Sequence, residues 1–237
     1  MTSVPRLAGQ AVAVPLGALA RWRRGKPMHP RGVVARGVLE RTGGAGTGVP
    51  WLDRPARDDV AVRLSRGAGL PAPWPDLLGF AVRVPEDGRP VDLLLSSTGR
   101  GALTRQVPVL RRDAAGPYSS IMGYRSPAGT LRLAAWADRP VPSDPEPLVA
   151  HLGEARTAYT LAVATGAGPW RPFAVLTLGE PEAGPDPDVR FDAVRYPPPG
   201  LVADGPMARF RAPAYARAQR ERVLARTGDT DRGDSEE

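Results

Sequence analysis

The chain has 237 residues, enough for one good hydrophobic core or two small ones, and its mean hydropathy of −0.27 fits a soluble globular protein. It contains no cysteine, which excludes disulfides, thiolate metal sites, zinc fingers and cysteine nucleophiles. The formal net charge is +7, but Lys26 is the one lysine among 32 basic residues, asparagine is absent, and Pro and Gly number 28 and 27, so much of the arginine reflects coding bias; no basic run is interleaved with aromatics, and nucleic-acid binding is not expected.

Residues 7–20 are small and apolar and are followed by Arg21-Trp22-Arg23-Arg24. A secretory signal has its charge before the apolar stretch, and this one is too short to span a bilayer, so residues 1–25 read as an arm carrying an amphipathic or docking helix. Trp22 and its arginines would also suit an anionic membrane surface. No spanning segment is expected, and a cytoplasmic location is the expectation. From residue 33 the signals are those of strands. Segments 33–39, 60–65, 80–84, 91–96, 131–136, 157–164 and 173–178 are short, rich in Val, Leu and aromatics, and bounded by Gly, Pro, Asp and Ser. Their spacing predicts an antiparallel sheet that closes into a barrel to hide its edges. Segments 148–155 and 207–224 are the predicted helices, and 227–237 is an acidic, frayed tail. No repeat or interdomain linker breaks the span 26–226.

Two motifs carry less than they suggest. Gly43-Gly44-Ala45-Gly46-Thr47-Gly48 lacks a Gly-Lys-Ser/Thr ending and a following helix, so a flexible hairpin loop is expected rather than a phosphate loop. Asp58-Asp59 and Asp186-Pro187-Asp188 read as acidic pairs in turns, without the further ligands a divalent metal needs. His29, one of two histidines, is different. It stands in Lys26-Pro27-Met28-His29-Pro30-Arg31-Gly32 at the entry to an apolar strand, which would hold a group able to exchange protons near neutral pH.

Further segments stand in a telling order: Arg63-Leu64-Ser65; Gly79-Phe80-Ala81-Val82; Asp92-Leu93-Leu94-Leu95-Ser96; Phe191-Asp192; Pro198-Pro199-Gly200; and Arg211-Ala212-Pro213-Ala214-Tyr215, ending at Arg222. With His-x-x-Gly at 29–32, this order resembles the heme-dependent catalase family over residues 26–222. The resemblance implies an α+β fold, a catalase-like antiparallel β-barrel with flanking N- and C-terminal helices, with heme b between barrel and C-terminal helix. It places His29 as the distal histidine, Ser65 as the hydroxyl that holds its imidazole, and Tyr215, in Arg-x-x-x-Tyr, as the ligand of the heme iron. Arg63, Arg222 and Lys26 fall where propionate-binding cations stand, and Arg211 lies beside the tyrosine.

The implied chemistry is physically coherent. A phenol with an ordinary pKa of about 10 needs ferric iron and a neighbouring guanidinium to act as phenolate. Arginine offers propionates a planar bidentate fork. His29 would take a proton from a peroxide and return it to the leaving oxygen. Three departures stand out: Ser96 occupies the place of the family's distal asparagine, Pro213 interrupts Arg-x-x-x-Tyr, and the long wrapping and C-terminal helical segments of the family are missing. They imply a peroxidase-type cycle on hydrogen peroxide or an organic hydroperoxide, with a reductant that the sequence does not name, rather than efficient catalase turnover. A homodimer is admitted, whereas the usual tetramer is not expected. The rival readings are a heme-binding or heme-sensing protein without turnover, and a cofactor-less basic binding protein on the same fold.

Overall fold

The computed structural model describes residues 31–86, 88–182 and 191–205. Eight strands close a ring: β1 (Arg31–Arg41), β2 (Ala56–Arg66), β3 (Asp76–Val84), β4 (Val91–Ser97), β6 (Tyr118–Ser119), β8 (Gly129–Trp136), β9 (Thr157–Thr165) and β10 (Arg171–Pro181), the last pairing back onto β1. Every pairing is antiparallel. Outside the ring, β5 (Leu110–Arg111) adds to β3, and β7 (Gly123–Ser126) joins β8 to β11 (Val202–Asp204).

Alternation explains the closure. On β2 the buried Val60, Val62 and Leu64 point inward while Ala61 and Arg63 face out, and β3 and β4 repeat the pattern with Phe80, Val82, Leu93 and Leu95. At the centre Phe80 meets the rings of Tyr118 and Tyr159 at centroid distances of 5.2 and 4.8 Å. Both phenols donate to the Ala114 carbonyl at 2.8 Å, which satisfies them inside an apolar core. Burial, reinforced by neighbouring charge, pushes both phenol pKa values up, so these are neutral structural donors.

All seven expected strands are present, each extended by one to four residues at one or both ends, and β6 is the ring member not anticipated. The expected helix at 148–155 begins earlier: α2 (Pro145–Glu154) starts on two prolines near its first turn, where a missing N–H costs nothing, and drives Leu148 and Leu152 into the core. The described residues are mostly strand, and their two helices lie in connections rather than at the flanks. The expected terminal helices, the arm at 1–25 and the tail at 227–237 lie outside the described residues. Among the described residues no helix is long and apolar enough to cross a membrane.

Two turn readings need correction. Asp58 and Asp59 lie within β2, not in a turn; Asp58 is held by Arg41 at 3.0 Å, and Arg41 also covers the Trp51 ring at 4.5 Å, so cross-strand pairing accommodates a charge that local sequence assigns to a bend. The glycine-rich segment is followed by a short helix, α1 (Pro50–Asp53), and is ordered by it. The Asp53 carboxylate accepts from the backbone N–H groups of Thr47 (3.0 and 2.9 Å) and Gly48 (2.7 Å) and from the Thr47 hydroxyl (3.0 Å). A loop that suggested phosphate therefore wraps a carboxylate of its own chain. Burial works to raise the Asp53 pKa, but these donors outweigh it and leave the carboxyl below its ordinary value.

Candidate functional site

The register aligns one row of small residues across the strands. Gly32 on β1 stands opposite Ser65 on β2, Ser65 opposite Gly79 on β3, Gly79 opposite Ser96 on β4, and Ser96 opposite Ser119 on β6. The row continues to Ala134 on β8 and Ala162 on β9. Their neighbours Val33, Leu64, Phe80, Leu95, Tyr118, Leu133 and Leu161 fill the interior, so the row lies on the outer wall. Ser65 and Ser96 flank Gly79, two strand spacings or about 10 Å apart. Gly79 itself puts no side chain between them.

The next outward row is Val34, Arg63, Ala81 and Leu94, which is apolar except for the arginine. The Arg63 guanidinium turns back across Gly32: a Cβ at Gly32 would lie 2.8 Å from Arg63 Nη2 and 2.8 Å from the Leu64 carbonyl oxygen. A side chain at position 32 would collide with the guanidinium there. Ser65 is buried, with its hydroxyl 3.5 Å from the Gly79 carbonyl oxygen. Ser96 is half-buried and makes no side-chain hydrogen bond among the described residues. Ser119, in contrast, is fully engaged: its hydroxyl donates to the Arg105 carbonyl and accepts from the Ile121 N–H at 2.9 Å.

Beyond this wall Asp92, fully buried on β4, receives Arg83 in a bidentate pair at 2.8 and 2.7 Å and also accepts the Asp192 backbone N–H at 2.7 Å. The hydrogen bond to Asp92 raises the Arg83 pKa, against a smaller opposing effect of burial. Segment 191–196 is thus pinned to the barrel, and the Tyr196 carbonyl closes the contact on the Asp92 N–H at 2.7 Å. Pro198-Pro199-Gly200 then turns, with Gly200 at φ +85°, a conformation that favours glycine, into β11.

Of the residues that the sequence singled out, Arg63, Ser65 and Ser96 come together on this one wall. Lys26, His29, Arg211, Tyr215 and Arg222 lie outside the described residues. The other histidine, His151, is bonded on α2 to the Thr157 hydroxyl at 3.0 Å, a local tie between helix and β9. Ser119 and the Asp92–Arg83 pair were missed. A two-residue strand leaves no alternation to read, and an Asp–Arg pair nine residues apart has no motif. Among the described residues no three His, Asp or Glu side chains cluster as a metal site.

The wall suits a flat, largely apolar group bearing carboxylates. Gly, Ser and Ala give a level surface, Val34, Ala81 and Leu94 add apolar contact, and Arg63 sets a cation beside it. Heme has this chemistry, so the described half of the site fits it.

No family model and no curated protein matches the sequence. Solved structures do. A bacterial catalase superposes with a TM-score of 0.61 at 15% identity, covering 87% of this chain and 59% of that one. Catalase A from Saccharomyces cerevisiae superposes with a TM-score of 0.60 at 16% identity, covering 88% of this chain and 63% of that one. The chain therefore spans about three-fifths of the length of these catalases. Its eight-stranded antiparallel barrel has the catalase fold.

Proposed function

We propose that the protein is a heme protein of catalase fold that activates hydrogen peroxide or an organic hydroperoxide in a peroxidase-type cycle. The observation that carries this reading is the outer wall, where Ser65 and Ser96 flank Gly79 in register and the Arg63 guanidinium lies over Gly32. Arg63, with Lys26 and Arg222, would hold the propionates. Tyr215, in the segment for which the sequence predicts a helix, would ligate the iron, with Arg211 favouring its phenolate form. When bound, heme supplies the iron and electrons that break the peroxide O–O bond. His29 would take the peroxide proton and hand it to the leaving oxygen, and Ser65 would fix its imidazole. Ser96, whose hydroxyl is free of partners among the described residues, would donate to the peroxide. An organic reductant would complete the cycle.

Hemin titration of the purified chain tests the reading. A Soret band that saturates at one heme per chain is expected, and Tyr215→Phe should abolish it or change its type. His29→Ala should keep the heme and lose about 10²–10⁴-fold in peroxide activation. A chain that never gives a saturable band sinks the proposal. One that binds heme but consumes no peroxide is a carrier or sensor instead.

A further inference from the structure

A buried cation is paired as a rule, because an isolated charge taken out of water is costly. Arg105 departs from it. The residue is 3% exposed, and its guanidinium carbon lies 4.3 Å from the Trp170 ring centroid. Its Nε donates to the Gly101 carbonyl at 3.2 Å and its Nη2 to the Gly168 carbonyl at 3.0 Å, but Nη1 is buried and finds no partner among the described residues. The charge that bears on it is a second cation. Arg132 on β8, half-buried, donates to the Gln106 side-chain carbonyl at 2.9 Å and to the Ile121 carbonyl at 3.4 Å. Gln106 follows Arg105 directly, and the Ile121 N–H bonds Ser119, whose hydroxyl donates to the Arg105 carbonyl. Burial, and then the Arg132 charge, lowers the Arg105 pKa, and burial lowers that of Arg132. Neither guanidinium forms an ion pair among the described residues. The segments around them, 98–112, 114–137 and 156–179, contain no Asp or Glu. The acids next to those segments are placed otherwise: Asp113 accepts the Ala115 and Val141 N–H groups at 2.6 and 3.2 Å, and Asp138, Glu154 and Glu180 stand exposed.

Register says where the pair stands. Arg132 is two residues from Ala134 and on the same outer face. Since Ser96 pairs with Ser119 and Ser119 with Ala134, the step that leads from Ser96 to Leu94 also leads from Ala134 to Arg132. Arg132 therefore continues the row of Arg63, Ala81 and Leu94 beyond β6, two strand spacings or about 10 Å from Leu94. It lies four strands round the ring from Arg63, at the other margin of the wall. We propose that Arg132 and Arg105 bind the carboxylate of a small organic acid at this margin. A guanidinium fork matches a carboxylate in one plane, and the carboxylate gives Arg105 Nη1 the acceptor it lacks. The acid enters from the Arg132 side, the less buried of the two, and displaces Arg132 from the Ile121 carbonyl, its longer bond. With heme on the wall, the acid is a carboxylate-bearing substrate held beside Ser96. That last step rests on the proposed function; the binding does not.

The test is titration calorimetry of the purified full chain, before and after hemin addition, with acetate, benzoate and inorganic phosphate at an ionic strength held constant with sodium chloride. Saturable one-to-one binding of the carboxylates is expected in both states. Arg132→Gln should weaken it about tenfold or more, and Arg132→Lys, which keeps the charge but not the fork, should weaken it less. Arg105→Met, which removes the buried charge, should weaken it at least as much as Arg132→Gln; if that chain does not fold, Arg132→Gln decides alone. No saturable heat overturns the proposal, as does binding that survives both Arg132→Gln and Arg105→Met. Phosphate bound more tightly than either carboxylate overturns the ligand class. Carboxylate binding that needs hemin and shifts the Soret band belongs to the iron, and binding that hemin abolishes belongs to the heme propionates; either result overturns the assignment and leaves the heme reading intact. Carboxylate binding in a chain that never takes up heme supports the assignment and sinks the peroxidase reading alone.

Discussion

The barrel is built in two manners. From β1 to β4 the strands run 11, 11, 9 and 7 residues and hold one another through long backbone ladders. Between β4 and β8 the strands shrink to two residues in β5 and β6, and buried polar side chains take over the joining. Buried Arg105 donates there to the carbonyls of Gly101 and Gly168, while Arg66, at the end of β2, donates to the carbonyls of Leu70 and Trp74 and the Ser143 hydroxyl, within 4 Å of the Asp76 and Asp144 carboxylates. Ser97 accepts from the Leu78 N–H and donates to the Val109 carbonyl, and Ser119 serves Arg105 and Ile121. The difference teaches that a ring can close through a segment with almost no ladder if every buried backbone group finds a side chain. The candidate wall runs across the boundary, with Ser65 in the ladder half and Ser96 at its edge.

Removing Arg66, which supplements the ladder at the end of β2, should have the largest effect. Arg66→Ala leaves the buried Asp76 carboxylate without its nearest cation and strips two carbonyls, at a cost of about 3–5 kcal/mol read from urea unfolding. A cost below about 1 kcal/mol would mean that the β2–β3 connection does not depend on Arg66.

Second in size is Ser96→Asn, which sharpens the comparison in function. An amide reaches farther over the wall than a hydroxyl, and oxygen release from hydrogen peroxide, measured per heme, should rise by up to roughly 10²–10³ if the geometry permits, with a smaller gain where neighbouring packing resists. A parent protein that already releases oxygen vigorously would refute the claim that Ser96 limits that reaction.

Ser119→Ala comes third. It leaves the Arg105 carbonyl and the Ile121 N–H unpaired in a buried place, which should cost about 1–3 kcal/mol, again by urea unfolding. The same change at Ser96, beside it but without a partner among the described residues, should cost much less.

The smallest effect belongs to the ladder half. Asp53→Asn weakens the donor nest of the 43–49 loop and should cost about 1 kcal/mol at pH 7, reduced by solvent screening. The sign with pH follows from the lowered carboxyl: its contribution is present above the unfolded value of about 4 and fades as pH falls through the lower folded value. Parent and variant should therefore converge in thermal stability at acid pH, and a constant gap between them would count against the nest.

The same division decides how much the sequence reveals. Strands β1 to β4 and β8 to β10 carry enough Val, Leu and aromatic residues at period two to be read directly. Strand β6 offers only Tyr118-Ser119 after a Gly-Pro pair, and that composition reads as a turn. Arg66 and Arg105 are hidden among many arginines, and nothing local marks them as the two buried ones among the described residues. For the wall, the linear order singles out Arg63, Ser65 and Ser96, but that Ser65 and Ser96 share bare Gly79 is a matter of register, fixed by pairings that no single segment encodes.

Closure of the ring also sets a schedule for biosynthesis. Strand β1 can form a hairpin with β2 at once, but its other edge meets β10, and Thr42 finds the Phe173 carbonyl 131 positions later. At about 5–20 residues per second the ribosome leaves that edge unpaired for about 7–26 s. An apolar strand waiting that long is a template for pairing with other chains. The residues β1 turns outward, Arg36 and Glu40, are the charges that discourage such pairing, and Gly37 between them packs against the β10 backbone only once that strand arrives. The nascent chain is thus guarded at the edge where it is slowest to close.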